Sequence, residues 1–273
     1  MTRGISRWKC LIAAGIFIFW GLSAVASKPD APADVQWAAD LDVAFALAKE
    51  KNRPIFMDLY ADWCGYCKLL DRDVFPHPDI VSRLNTRFVP VKINADQNPA
   101  TSRKYNVQGL PLLLMLHPDG REIARIPGYV PAESLKQMLD DVAIPYEDII
   151  KYRALVAKEP DNASAQFQVG FRAGQLRLDK EAIEHLNRAL ELDPQGSVID
   201  RAEALLSLSE AYASGENYLK AEETADTYIR EFPDSDNLLM ASFLKGMALL
   251  QQRKLEESKL WLRKVADSPE GKV

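Results

Sequence analysis

Two cysteines stand three positions apart in ADWCGYCK (residues 61–68), where an apolar run changes its period. Upstream, RPIFMDLYA (residues 53–61) is strand-like; downstream, the apolar positions of CKLLDRDVF (residues 67–75) recur at helical spacing. The pair therefore sits where a strand hands over to a helix. At that junction Cys64 stands at the helix N-terminus. Free backbone N–H groups and the positive end of the helix dipole there stabilise a thiolate and lower a thiol pKa from roughly 8.5. Cys64 is the expected attacking sulfur. Cys67, one turn inside, is the expected resolving sulfur, which releases the product once a mixed disulfide has formed.

Cysteine usage narrows the chemistry. Arg3, Arg7 and Lys9 precede the apolar run Leu11 to Leu22, and Ala24-Val25-Ala26 offers small residues for cleavage, so residues 1–26 read as a signal peptide. The alternative is a retained N-terminal membrane anchor, since the uncharged stretch from Cys10 to Ala26 is 17 residues. Both readings export the rest, into the periplasm. Beyond the leader the chain carries 31 Lys and Arg against 39 Asp and Glu, a net charge of −8, which repels phosphate backbones and excludes nucleic acid as a partner. Only Cys64 and Cys67 then remain. A zinc site would need four ligands, yet His77, His117 and His185 are scattered singly, so no metal is expected. Covalent haem would need histidine where Lys68 stands. No cofactor is expected beyond a redox-active Cys64–Cys67 disulfide; the alternative is a short-loop disulfide that only clips a turn.

Release by Cys67 calls for a base. Asp58 lies within the apolar strand, where burial raises a carboxyl pKa and fits it to take a proton, through water, from Cys67. Asp71, four residues after Cys67, lies on the same helical face and is a second candidate. The plainer readings are a satisfied buried carboxylate for Asp58 and a solvated helix residue for Asp71.

DLYADWCGYCK and the later GLPLLLML resemble the thioredoxin superfamily, most closely the reducing thioredoxin-like domain of the periplasmic disulfide-interchange reductases. The resemblance runs from about Val35 to Val142, placing a domain at residues 35–144. VPVKINADQNP (residues 89–99) resembles the family's central strand and following turn, RKYNVQGLP (residues 103–111) its approach to a cis-proline, and HPDGREIARIPGY (residues 117–129) its final hairpin. The resemblance implies a cis Leu110–Pro111 bond facing the cysteines, with the Leu110 backbone free to pair with an extended substrate. It implies that Lys92 sits beside Asp58 and that Trp63 shields the sulfur pair. An exposed strand lysine and a core tryptophan are the alternatives. Two departures leave the direction of electron flow open: the Gly65-Tyr66 dipeptide between the cysteines is the pair found in periplasmic disulfide isomerases, and Leu110 replaces the threonine common before the proline. Trp63, Tyr66, Leu110 and Pro111 form the expected substrate seat.

PAESLKQMLDDVAIPYE (residues 131–147) reads as the closing helix of this first domain, broken at Pro145, and residues 147–273 read as helix pairs. Pro160 and Pro194 are 34 residues apart, and Gly170, Ala182, Leu186 and Ala189 match tetratricopeptide spacing. A second copy runs from Ala202 to Pro233, a third from Leu239. By analogy with such arrays the first helix of each pair lines a concave face, which would place Phe167, Phe171, Leu206, Phe243 and Met247 in a partner-binding groove suited to a peptide. The alternative is that these residues pack on the first domain or its closing helix.

The expected fold class is an α/β thioredoxin-like domain, a central mixed sheet flanked by helices, followed by an all-α repeat domain. The expected function is an exported thiol:disulfide oxidoreductase that reduces or exchanges disulfides in envelope proteins through Cys-Gly-Tyr-Cys. Its expected partners are proteins with cysteine thiols or disulfides and a membrane or periplasmic electron donor. The competing reading is a holdase or assembly adaptor of the co-chaperone kind, with minor redox activity; a third is a cytochrome-maturation or envelope assembly factor.

Overall fold

A computed structural model describes residues 34–268, which lie in one compact unit. The expected leader, residues 1–26, falls outside the described residues. The order of elements is α1 (Leu41–Lys51), β1 (Ile55–Tyr60), α2 (Gly65–Leu69) running into a π turn (Leu70–Val74), α3 (Pro78–Arg87), β2 (Val89–Asn94), α4 (Pro99–Lys104), β3 (Leu112–Leu116), β4 (Glu122–Pro127) and α5 (Ala132–Lys158). Helix pairs follow: α6 (Ala163–Gln175) with α7 (Asp179–Leu192), α8 (Arg201–Ser214) with α9 (Tyr218–Glu231), and α10 (Leu238–Gln251) with α11 (Leu255–Ala266).

The four strands form one mixed sheet in the order β2-β1-β3-β4, with β1 parallel to β2 and antiparallel to β3. Alternation along β1 divides the core. Ile55, Met57 and Leu59 join Ala44 and Ala48 of α1 on one face, while Phe56 joins Leu70, Val74, Leu84, Leu135 and Leu139 from the π turn, α3 and α5 on the other. Asp58 shares the second face. β2 is not the central strand that the resemblance implies: among the described residues only a single bridge to Ala38 lies beyond it, and β1 and β3 occupy the middle. Pro90 accounts for the placement, because a residue without an N–H is tolerated at a sheet edge and not in its centre.

α3 is tied to α5 by partly buried ion pairs. Arg83 reaches Asp140 at 2.8 Å, and Arg87 reaches Asp140 and Glu147 at 2.7 Å each. α5 does not break at Pro145. It continues to Lys158 because Val142, Ala143, Pro145, Tyr146 and Ile149 form one buried stripe, and their packing offsets the about 3 kcal/mol that an internal proline costs a helix. The boundary expected between residues 144 and 147 therefore falls inside a helix.

The helix pairs match the three sequence copies. Gly170 lets α6 approach α7 so closely that an added Cβ would lie 2.7 Å from Leu186 Cγ; Gly246 does the same for α10 against Leu262 of α11. The extra loop between the first two pairs is organised by Asp193, which accepts from the N–H groups of Ser197, Val198 and Ile199 at 3.0, 2.7 and 3.0 Å and is held below the usual carboxylate range by those bonds.

Candidate active site

β1 delivers the chain to the site. After Tyr60 a tight turn, closed by the Cys64 N–H on the Ala61 carbonyl at 3.0 Å, leads into α2. Cys64 is the N-cap of α2. Its Sγ accepts the N–H of Cys67 at 3.1 Å, the place of an N-cap side chain bonded to the third helical residue. The two sulfurs are joined as a disulfide, and both residues are buried. Ala61, Tyr60 and Leu110 pack against them. The Leu110–Pro111 bond is cis, as expected. Gly128, with φ of 83°, turns its N–H onto the Pro111 carbonyl at 2.8 Å and leads into Tyr129.

Trp63, next to Cys64 in sequence, stands at the surface rather than in the core. It is 71% exposed, and its Nε1 donates to Asp96 at 2.8 Å, because an indole N–H takes a polar partner where one is offered. Tyr66 is also exposed, and its ring stands 6.5 Å from that of Tyr129. The rim around Cys64 is thus aromatic, with Leu110 supplying the apolar wall.

The strand that leads to the pair carries one member of a charged triad, Asp58, Lys92 and Asp71. Asp58 is 1% exposed, its Oδ2 is 3.3 Å from Lys92 Nζ, and its Oδ1 has no hydrogen-bond partner. Register explains the pairing, since Asp58 and Lys92 are directly opposed on β1 and β2. Burial pushes the Asp58 carboxyl up from 3.8 to about 6, against the opposing pull of Lys92. Lys92 also pairs with Asp71, which stands in the π turn, so Asp71 is neither a free surface carboxylate nor an unengaged base. The aromatic rings of Tyr60, Trp37 and Phe75 surround the Lys92 ammonium at 5.1 to 5.3 Å. Such an arrangement holds a carboxyl near neutrality, where it can accept or return a proton.

The five groove residues are not brought to one place. Phe171 and Leu206 line a cleft of about 260 Å³ between α6 and α8. Phe167 is instead a core residue, stacked on Phe171 at 5.8 Å, because its helical position turns it toward the continuous core that runs from the sheet into the array. Phe243 is exposed and Met247 half-buried, and neither lines this cleft. Asp179, Glu203 and Glu210 also line it, each with its carboxyl pushed up by burial, and none of them has an ion-pair partner. The sequence reading missed these acids, which sit at scattered positions on two helices. It also missed Asp96, Tyr129 and the aromatic cage of Lys92, whose parts come from distant stretches with no local signal. Among the described residues no cluster of His, Cys, Asp and Glu could hold a metal ion.

Residues 41–143 match a family described as "Thioredoxin-like domain". Thioredoxin 1 of Chlorobaculum tepidum is 35% identical over 91 residues, a stretch that takes in 33% of this chain and 86% of that protein. The chain belongs to the thioredoxin family. Its thioredoxin-like half is equally similar to the thiol:disulfide interchange protein DsbD 2 of Pseudomonas aeruginosa, with 35% identity over 107 residues covering 37% of this chain and 18% of that one. DsbD of Klebsiella pneumoniae is 35% identical over 112 residues, covering 39% and 18%. The chain spans about a fifth of the length of these interchange proteins. Residues 161–266, the helix pairs that follow the thioredoxin-like half, match a second family, YfiO, described as "Outer membrane lipoprotein".

Proposed function

We propose that this protein is a thiol:disulfide oxidoreductase of the cell envelope, whose thioredoxin-like half exchanges disulfides in client proteins while its helix pairs bind a segment of the client or of an assembly partner. The observation that carries the reading is the Cys67 N–H on Cys64 Sγ, which stabilises a thiolate on the first cysteine once the pair is reduced. Cys64 attacks a client disulfide, forming a mixed disulfide and releasing one client thiolate. Cys67 then gives its proton toward Asp58 and attacks Cys64 Sγ, expelling the second client thiolate and forming the Cys64–Cys67 disulfide. A dithiol donor returns the pair to the reduced state.

Export is supported by the basic and apolar leader and by the interchange and lipoprotein relatives; among the described residues no helix is long and apolar enough to cross a membrane. The competing adaptor reading draws on the cleft between α6 and α8, whose apolar floor and three unpaired carboxylates suit a basic segment. Insulin reduction with single-cysteine variants separates the two. Cys67→Ser is expected to abolish turnover and accumulate client proteins bound through Cys64, which mass spectrometry identifies. Failure of Cys64→Ser and Cys67→Ser to trap any client through either sulfur, with insulin reduction by the wild-type chain no faster than by the dithiol donor alone, gives the adaptor reading.

A further inference from the structure

Each helix pair of the array covers the one before it, and the same positions of the earlier pair's second helix are covered each time. Superimposing the buried crossing residues Ala182, Ala221 and Ser258 of α7, α9 and α11 aligns Ile183, Asn187 and Leu190 with Glu222, Asp226 and Ile229, and these with Lys259, Arg263 and Ala266. In α7 these positions meet α8: Ile183 and Leu190 pack at the junction, and Asn187 donates to Tyr212 of α8 at 3.0 Å. In α9 they meet the last pair: Glu222 holds Lys254 at 2.9 Å, Asp226 pairs with Lys245 of α10, and Ile229 packs at the junction. In α11 no described element follows. Leu250, Leu255, Lys259, Leu262, Arg263 and Ala266 line a shallow cavity of about 360 Å³, Leu255 is 60% exposed, and neither Lys259 nor Arg263 has an ion-pair partner.

We infer that this face receives an amphipathic helix from another protein, carrying apolar residues toward Leu255 and Leu262 and carboxylates toward Lys259 and Arg263. Charge chooses the occupant. The preceding junction is joined by ion pairs in which α9 supplies the acids; here α11 supplies the bases, so the incoming helix supplies the acids. A second copy is a poor fit, because a twofold pairing of α11 with itself sets Lys259 and Arg263, both near its middle, against their own counterparts. The surface is remote in sequence from Cys64 and Cys67 and is independent of their chemistry.

The test uses the full-length protein and two fluorescein-labelled synthetic 18-residue amphipathic helices with identical leucine stripes, one flanked by glutamates and one by lysines, followed by fluorescence anisotropy. The acidic peptide is expected to bind at least tenfold more tightly than the basic one. Lys259→Glu with Arg263→Glu is expected to reverse that preference, with insulin reduction and thermal midpoint unchanged to report folding. Equal binding of the two peptides, no binding of either, or a preference unaltered by the double reversal overturns the proposal. So does self-association of the wild-type chain in sedimentation that Leu255→Glu abolishes, since a second copy would then cover the face.

Discussion

His117 Nε2 lies 2.8 Å from the Leu176 carbonyl oxygen, joining the β3–β4 turn to the connection between α6 and α7 across 59 residues of sequence. The imidazole is buried against Tyr146 of α5, with ring centroids 6.2 Å apart, so the sheet, α5 and the first helix pair meet at one side chain. Burial lowers the His117 pKa from its ordinary 6.5. The unfolded chain therefore takes up this proton before the native one does, and stability is lost as pH falls below about 6.5. His117→Gln is expected to flatten that acid-side decline relative to wild type, measured as urea midpoints between pH 7.5 and 5. A decline of unaltered slope would remove His117 from the explanation.

Asp58 works with the opposite sign. Its native pKa of about 6 lies above its unfolded value of 3.8, so the native state binds the extra proton and stability falls as pH rises through that window. Asp58→Asn is expected to stabilise the protein by about 2–3 kcal/mol above pH 7 and by little at pH 4. In stopped-flow assays it should slow release from the mixed disulfide while sparing the first attack by Cys64. Equal slowing of both steps would count against a proton role.

Lys92→Met removes the ammonium that holds Asp58 down, leaving burial unopposed. The Asp58 pKa then rises above about 6, and the pH profile of mixed-disulfide release is expected to move to more alkaline values by about one unit or more, read from single-turnover kinetics with a fluorescent disulfide. An unshifted profile would separate Lys92 from the chemistry.

The two array glycines differ in what can yield. At Gly170 an added Cβ meets the Leu186 backbone N at 2.8 Å, whereas at Gly246 the contacts under 3 Å are with the Leu262 side chain. Gly170→Ala is expected to destabilise by about 2–3 kcal/mol and Gly246→Ala by about 1 kcal/mol or less, since alanine's helix preference offsets part of each. Equal losses in thermal denaturation would mean that the α6–α7 backbone can shift.

The cysteine pair and the buried place of Asp58 were legible because each sits in a local pattern, whereas the cis bond before Pro111 was legible through family resemblance alone. Lys92 was legible through family resemblance, and the strand register then paired it with Asp58. The partner of Trp63 was not legible, because a tryptophan beside cysteines says nothing of where its N–H goes; Asp96, 33 residues on, decides that. Pro145 misled because propensity acts on a segment alone, whereas burial of Val142 and Ile149 acts on the assembled helix. The repeats were visible in their small residues, but which side chains share a groove depends on how the pairs stack: Phe167 and Phe171 are one turn apart, yet one is core and the other lines a cleft.

Because α5 crosses the expected boundary without interruption, the thioredoxin-like half has no clean edge at which to be cut free. A truncation after residue 144 would sever a 27-residue helix, discard Glu147 from its bond with Arg87, and strip Tyr146 and Ile149 from the core they close. One helix serves as the spine of both the thioredoxin-like half and the helix pairs that follow it.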